Sequence, residues 1–283
     1  MDLLLFIKIL IILIATAIAA YTDYKTSYIY NWLTLPLALL GLIITALEAF
    51  VLRVPLGYIY FLKVISIALI IYFIGYLFYY FGKLGGGDIK LFIGIHLVMP
   101  FYFNQLTILW LLILSSLLAV ILVSTRYLVK LYRIIDWKTW KSLLLKRKLT
   151  ILKVIILLAA FALLIGYSIS TLGLSKLYYL LLLPILLGLK VTIFEEEIKK
   201  YIYLKNKNVN KLEDGDVLAI DLISKELLVK LNLKKREVLE EKDLINIKKL
   251  KIKSLPIYDN LPRFGPYIFL GLIVFLVIGK YLL

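Results

Sequence analysis

Long apolar runs broken by short polar punctuation organise the chain. Leu3–Ala20 is apolar almost without interruption, and Gly57–Phe81 and Leu91–Met99 repeat the pattern. A hydrocarbon core ~30 Å thick takes about 20 apolar residues in helical form. On that criterion membrane-crossing helices are predicted over Leu3–Tyr21, Trp32–Leu52, Gly57–Phe81 and Leu106–Leu128, with a polar loop at Thr22–Asn31. Asp88–Met99 reaches only ~18 Å as a helix before Pro100, and reads as a short crossing or a re-entrant half-helix. After a basic linker at Lys130–Lys148, two more helices are predicted over Ile151–Ser170 and Ser175–Leu189, the second containing Pro184, and a last one over Phe264–Leu283. Residues 190–260 are strongly polar. Within them Asp214-Gly215-Asp216 predicts a turn, Val217–Ile223 and Lys251–Tyr258 predict strands, and Lys225–Leu231 and Lys242–Leu250 predict amphipathic helices.

The expected fold is therefore an all-α polytopic membrane protein of about eight transmembrane helices with a small cytosolic α+β domain. Its parts are a transmembrane core at 1–130, a basic linker and additional transmembrane hairpin at 131–189, the α+β domain at 190–260 and a final helix at 261–283. Composition agrees: 63% of residues are hydrophobic and the mean hydropathy is +0.95, beyond an ordinary soluble domain. A net charge of +16 would suit a nucleic-acid binder, but its distribution argues against nucleic acid. Arg126–Lys153 holds nine Lys/Arg and residues 190–263 hold 17, flanking the apolar spans. Such clusters mark cytoplasmic loops. If Asp88–Met99 crosses, every basic loop falls on one side; if it is re-entrant, they split between two faces. The charge pattern thus favours eight crossings, both termini outside, and cytosolic placement of the helix ends near Asp23 and Asp88. Ala-x-Ala patterns at Ala15–Ala19 resemble a signal-peptide cleavage site, but Asp2 stands where a basic region is expected, so the first helix is expected to be retained. The absence of cysteine excludes disulfides and thiolate metal sites.

The chemistry concentrates at Leu84-Gly85-Gly86-Gly87-Asp88-Ile89-Lys90. Three consecutive glycines suit neither helix nor strand, so Asp88 is expected to open the next helix in an N-cap-like position. An ordinary turn with a capping Asp is the plain alternative. Among the first 135 residues the only acids are Asp2, Asp23, Glu48 and Asp88. Asp23 and Asp88 both lie at helix ends on the same predicted side, and two converging carboxylates form an acid/base pair that can activate water and protonate a leaving amine. The start of a helix at Asp88 makes Asp88 the expected carboxylate and Asp23 the expected acid. Gly85, Gly86 and Gly87 would let an extended substrate strand approach the backbone. Lys90 and Lys25 are candidates for binding lipid or substrate, or for biasing the carboxylates, against a plain role as snorkelling interfacial lysines. Asn31 is expected to cap the second helix, the alternative being a hydrogen bond near the carboxylates. His96, the only histidine, lacks partners for a metal site and is expected to be structural; Glu48 is expected to be a paired or protonated structural acid. Glu195-Glu196-Glu197 reads as a solvated face, with reception of a basic peptide as the alternative. Asp214-Gly215-Asp216 lacks a full calcium loop.

A first-helix Asp followed by Asn31, then Gly85-Gly86-Gly87-Asp88-Ile89-Lys90-Leu91, resembles the type IV prepilin peptidases, intramembrane aspartyl proteases whose archaeal branch includes the preflagellin peptidases. The second motif matches closely. The first departs from the family's usual pattern, with Tyr30 in place of a Pro before the Asn. The resemblance covers roughly residues 1–130 and the Leu261-Pro262-Arg263-Phe264-Gly265-Pro266 segment, and the missing tetracysteine segment is like the archaeal branch. It implies a membrane aspartyl endopeptidase that removes basic leaders from type IV pilin-like or archaellin precursors at the cytosolic face. Asp23 and Asp88 would be catalytic, no cofactor or metal is implied, membrane lipid is the surroundings, and the Phe264-Gly265-Pro266 turn would line the cleft. The length and the extra hairpin resemble a dedicated prepilin peptidase more than the shorter preflagellin enzymes. Presenilin-like and signal-peptide-peptidase-like proteases share Gly-x-Gly-Asp, but their Tyr-Asp and Pro-Ala-Leu motifs are missing. A transporter or assembly scaffold, with Gly85–Gly87 as a helix break, would call for a second broken helix or an inverted repeat, and neither is evident.

Overall fold

In a computed structural model the described residues are 3–52, 57–80, 84–172, 179, 182–213, 216–223, 228, 239, 241–249, 252–259 and 262–279. They form two compact units, residues 1–119 with 263–283, and residues 120–262. Five helices among them are long and apolar enough to cross a membrane: α1 (Leu3–Thr26), α2 (Asn31–Ala46, continued by a π-helical turn at Leu47–Val51), α3 (Gly57–Tyr80), α5 (Thr107–Ile134) and α7 (Lys148–Leu172). Between α3 and α5 stand α4 (Gly86–Val98) and a two-residue hairpin, β1 (Phe101–Tyr102) with β2 (Gln105–Leu106). Its turn residues Phe103 and Asn104 take φ of 46° and 60°.

The first unit is built around α4. All but a few of this helix's side chains are buried: Ile89, Leu91, Phe92, Gly94, Ile95, His96, Leu97 and Val98. A helix apolar on every face is stable only when surrounded, and α2, α3 and α1 surround it, α2 most closely. Gly41 of α2 permits that approach, since a Cβ there would lie 2.7 Å from the Val98 backbone nitrogen. The last helix, Gly265–Ile278, packs along α1, and Ile12, Ala19, Leu91, Ile95, Leu272 and Phe275 share one core. With 13 residues, α4 is ~20 Å long, short of a full hydrocarbon core.

Several boundaries differ from expectation. α1 runs to Thr26, because the Thr22 and Thr26 hydroxyls donate back to the Ala19 and Thr22 carbonyls, and Ser27 at φ 61° ends it. Asp23 is therefore inside a helix. Helix α4 begins at Gly86, two positions before Asp88, so Asp88 is its third residue rather than its cap. The basic linker is itself helical: α5 continues to Ile134 and α6 (Trp137–Lys146) follows, capped by Asp136.

In the second unit, α8 (Leu182–Ile193) and α9 (Glu195–Ile198) lead into a polar region. Its three-stranded antiparallel sheet has β5 (Ser254–Tyr258) between β3 (Leu204–Asn208) and β4 (Val217–Leu218). Strand β3 is polar and was not expected. The Val217–Ile223 strand shrinks to β4, followed by a 3-10 turn at Ile220–Leu222. Helix α10 (Glu241–Lys249) packs Ile247 into the sheet's core beside Leu218, Leu255 and Ile257. The expected turn at 214–215 and most of the helix at 225–231 lie outside the described residues. Glu195–Glu197 is not a solvated face throughout, since Arg147 pairs with Glu196 at 2.7 Å and with the buried Glu197 at 3.0 Å.

Far from Asp23 on α1, Lys8 donates to Glu48 of the π-helical turn, and the Tyr60 hydroxyl donates to the same carboxylate at 3.0 Å. The ion pair is buried, with side chains 7% and 14% exposed. Removing one partner strands a charge in an apolar setting, at a cost of about 3–5 kcal/mol, whereas replacing both with apolar groups is close to neutral. Glu48→Leu is thus expected to lower the melting temperature of the detergent-solubilised protein strongly, and Lys8→Met/Glu48→Leu to recover most of the loss.

Candidate active site

Two helix ends carry the site. Asp23 sits in the last turn of α1, only 7% exposed. Its Oδ2 accepts a hydrogen bond of 2.8 Å from the backbone N–H of Gly265, 242 residues away. Gly265 opens the last helix, α11 (Gly265–Ile278), with Pro266 behind it in the first turn, where the missing N–H costs nothing. A first-turn N–H has no partner inside its own helix, and here a carboxylate supplies one. Glycine is required because a Cβ on residue 265 would stand 2.9 Å from both the Cβ and the Oδ2 of Asp23. The Arg263 guanidinium adds a favourable charge to Asp23 and lies 5.9 Å from the Tyr24 ring centre.

Asp88 occupies the first turn of α4. Its Oδ2 accepts from the Gly85 N–H at 3.2 Å, the arrangement in which a third-position acid reaches back to the residue capping its own helix. Its Oδ1 is enclosed and has no hydrogen-bond partner among the described residues. The two carboxylates are close enough for the charge of Asp23 to act on Asp88. One helix, α4, thus delivers Asp88, and another, α11, holds Asp23. They meet where Phe92 packs edge-on against Phe264, ring centres 6.3 Å apart. Each carboxylate has one oxygen fixed by a backbone donor at a helix start. The asymmetry expected from a helix start at Asp88 alone is therefore absent, and it no longer decides which group is the acid.

The other expected residues separate. Lys90 donates to the Asn31 side-chain oxygen at 2.7 Å, both residues being exposed. Asn31 does not cap α2: Tyr30 occupies the cap position, without a side-chain bond. Its oxygen instead ties the start of α2 to the turn of α4 that bears Asp88. Lys25 is exposed, with its ammonium 5.8 Å from the Tyr21 ring of its own helix. Gly87 serves the chain's own packing, because a Cβ there would lie 2.8 Å from the Cβ and the carbonyl oxygen of Ile29. Gly85 is exposed and a Cβ on it would crowd Asp88 Oδ2 at 2.9 Å, while Gly86 meets nothing nearer than Tyr79 at 3.7 Å. His96 is buried, its Nε2 3.1 Å from the Val64 carbonyl, and among the described residues no group of His, Cys, Asp and Glu could hold a metal ion. The Gly265 N–H and Arg263 were not expected as partners of Asp23. The signal was present in Gly265-Pro266, which is a helix-start pattern, but nothing local named its partner.

The model of the type IV leader peptidase family matches residues 10–124, from α1 into α5, and so includes both carboxylates but not α11. No curated protein and no solved structure matches the chain.

Glycine is thus required for packing at residues 87 and 265 and dispensable at residue 86. Forcing a methyl group into a filled space costs about 1–3 kcal/mol. Gly87→Ala and Gly265→Ala are expected to lower thermal stability measurably in detergent, with Gly86→Ala close to wild type.

Proposed function

We propose, from the match of residues 10–124 to the type IV leader peptidase family, that this chain is a membrane aspartyl endopeptidase whose two working groups are Asp23 and Asp88. It removes the basic leader from type IV pilin-like precursors at the cytosolic face. The observation that carries this reading is the convergence of two carboxylates at the ends of α1 and α4, each with one oxygen held by a backbone N–H. Two carboxyl groups in electrostatic contact share a proton, and their titration belongs to the pair. The anionic partner takes a proton from water as the water oxygen attacks the scissile carbonyl, while the neutral partner donates a hydrogen bond to the carbonyl oxygen. Collapse of the tetrahedral intermediate breaks the C–N bond, and the proton taken from water passes to the leaving amine. Fixing one oxygen of each carboxylate leaves the other for water and substrate, and Asp88 Oδ1, though enclosed, makes no hydrogen bond among the described residues that would compete for that role.

Cytosolic cleavage is supported by the charge pattern, since the basic residues concentrate at 126–153 and 190–263 and such segments stay on the cytoplasmic side. The expected eight crossings would combine the five long apolar helices with the short apolar helices α8 and α11 and with α4.

Asp23→Asn and Asp88→Asn should each abolish leader removal from a pilin-like precursor in membranes while leaving expression and thermal stability near wild type; near-normal cleavage by either variant would exclude the pair. The cysteine-free chain also permits a topology test. Thr26→Cys and Ser142→Cys should react with an impermeant thiol reagent only after cells are opened, and labelling of either in intact cells would contradict cytosolic placement.

A further inference from the structure

Helix α6 carries a surface that proteolysis does not use. It joins α5 to α7, two helices long and apolar enough to cross a membrane. Asp136 starts it, accepting from the Thr139 N–H at 3.2 Å and from the Thr139 hydroxyl at 2.5 Å. One side faces the protein: Trp140 is 7% exposed, with its ring 4.8 Å from that of Phe194 and 5.4 Å from that of Tyr132. The other side is open. Trp137, Leu144 and Leu145 are 69%, 42% and 67% exposed, and Lys138, Lys141 and Lys146 are exposed among them. At about 100° per residue, Trp137, Lys141, Leu144 and Leu145 fall in one sector, with Lys138 and Lys146 continuing beyond it.

None of the three lysines forms a salt bridge among the described residues, whereas Glu196 and Glu197 are taken by Arg147 and Glu195 by Lys199. A helix of ten residues is ~15 Å long, and as the link between two crossing helices it is held near the membrane surface. Tryptophan favours the headgroup level. Leucines beside it reach the acyl boundary, and lysines interleaved with them extend their stems along apolar surface and place their ammonium groups among phosphates.

We propose that α6 lies in the plane of the membrane interface and binds anionic phospholipids, Trp137, Leu144 and Leu145 entering the acyl boundary and Lys138, Lys141 and Lys146 holding headgroup phosphates. An anionic headgroup is favoured over a zwitterionic one because each unpaired lysine near the surface gains from the negative potential. The proposal does not depend on the chemistry of Asp23 and Asp88.

The test uses the chain of residues 1–283, in which Leu145→Cys is the sole cysteine. A bimane label on it is read in vesicles carrying brominated phosphatidylglycerol or brominated phosphatidylcholine at equal mole fraction. Quenching by both is expected, with the anionic lipid stronger by about two-fold or more at low salt. The excess should vanish at high salt and in the Lys138→Gln/Lys141→Gln/Lys146→Gln variant. Leu144→Cys repeats the measurement, so that a local effect of one substitution is recognised. Water-like emission without quenching, equal quenching by the two lipids, or a blue-shifted emission that neither lipid quenches, marking a protein partner, would each overturn the proposal.

Discussion

The hydrogen bond from the Gly265 N–H to the Asp23 carboxylate closes the first unit on itself. It joins the end of the first helix to the start of the last, across almost the whole chain. Its donor would be unsatisfied within its own helix, and its acceptor is buried and would be costly without a partner. Each group answers the other's need, which fixes where α11 begins relative to α1. The requirement for glycine at 265 follows, because the carboxylate occupies the space a side chain would take. With α1 and α11 joined, the position of Asp88 depends only on α4.

Helix α4 is held by burial rather than by length. It is too short for an ordinary crossing, yet α1, α2 and α3 cover it, so its apolar side chains face protein. The glycines at its start meet two different demands: residue 87 lets the chain at Ile29 pass close by, and residue 85 leaves room for the carboxylate that accepts its N–H. At the far end of α1, Lys8, Glu48 and Tyr60 form another polar junction of the unit, so the helix bearing Asp23 is tied by polar contacts near both ends.

The apolar runs were legible in the sequence because membrane crossing imposes length and composition together. The two carboxylates were legible because acids are rare in the first half of the chain. Other features depended on contacts that no local pattern states. The extension of α1 through Thr22–Thr26 is accompanied by threonine hydroxyls folding back onto their own helix. The capping start at Asp136 was readable, but the run of basic residues around it masked a helix as a linker. Strand β3, Leu-Lys-Asn-Lys-Asn, has no apolar alternation to announce it and exists because β5 offers a pairing edge. Asn31 looked like a cap by residue type, yet its oxygen is engaged by Lys90, 59 positions away.

The central claim is that Asp23 and Asp88 act as one coupled pair. Infrared difference titration of the carboxyl C=O band, comparing wild type with Asp23→Asn and Asp88→Asn in membranes, tests it most directly. Coupled groups release their protons in two steps that belong to the pair. The account predicts two steps in the wild type. In each variant the surviving aspartate should titrate in a single step, at a pH that matches neither of them. A survivor that titrates as it did beside its intact partner would contradict the account.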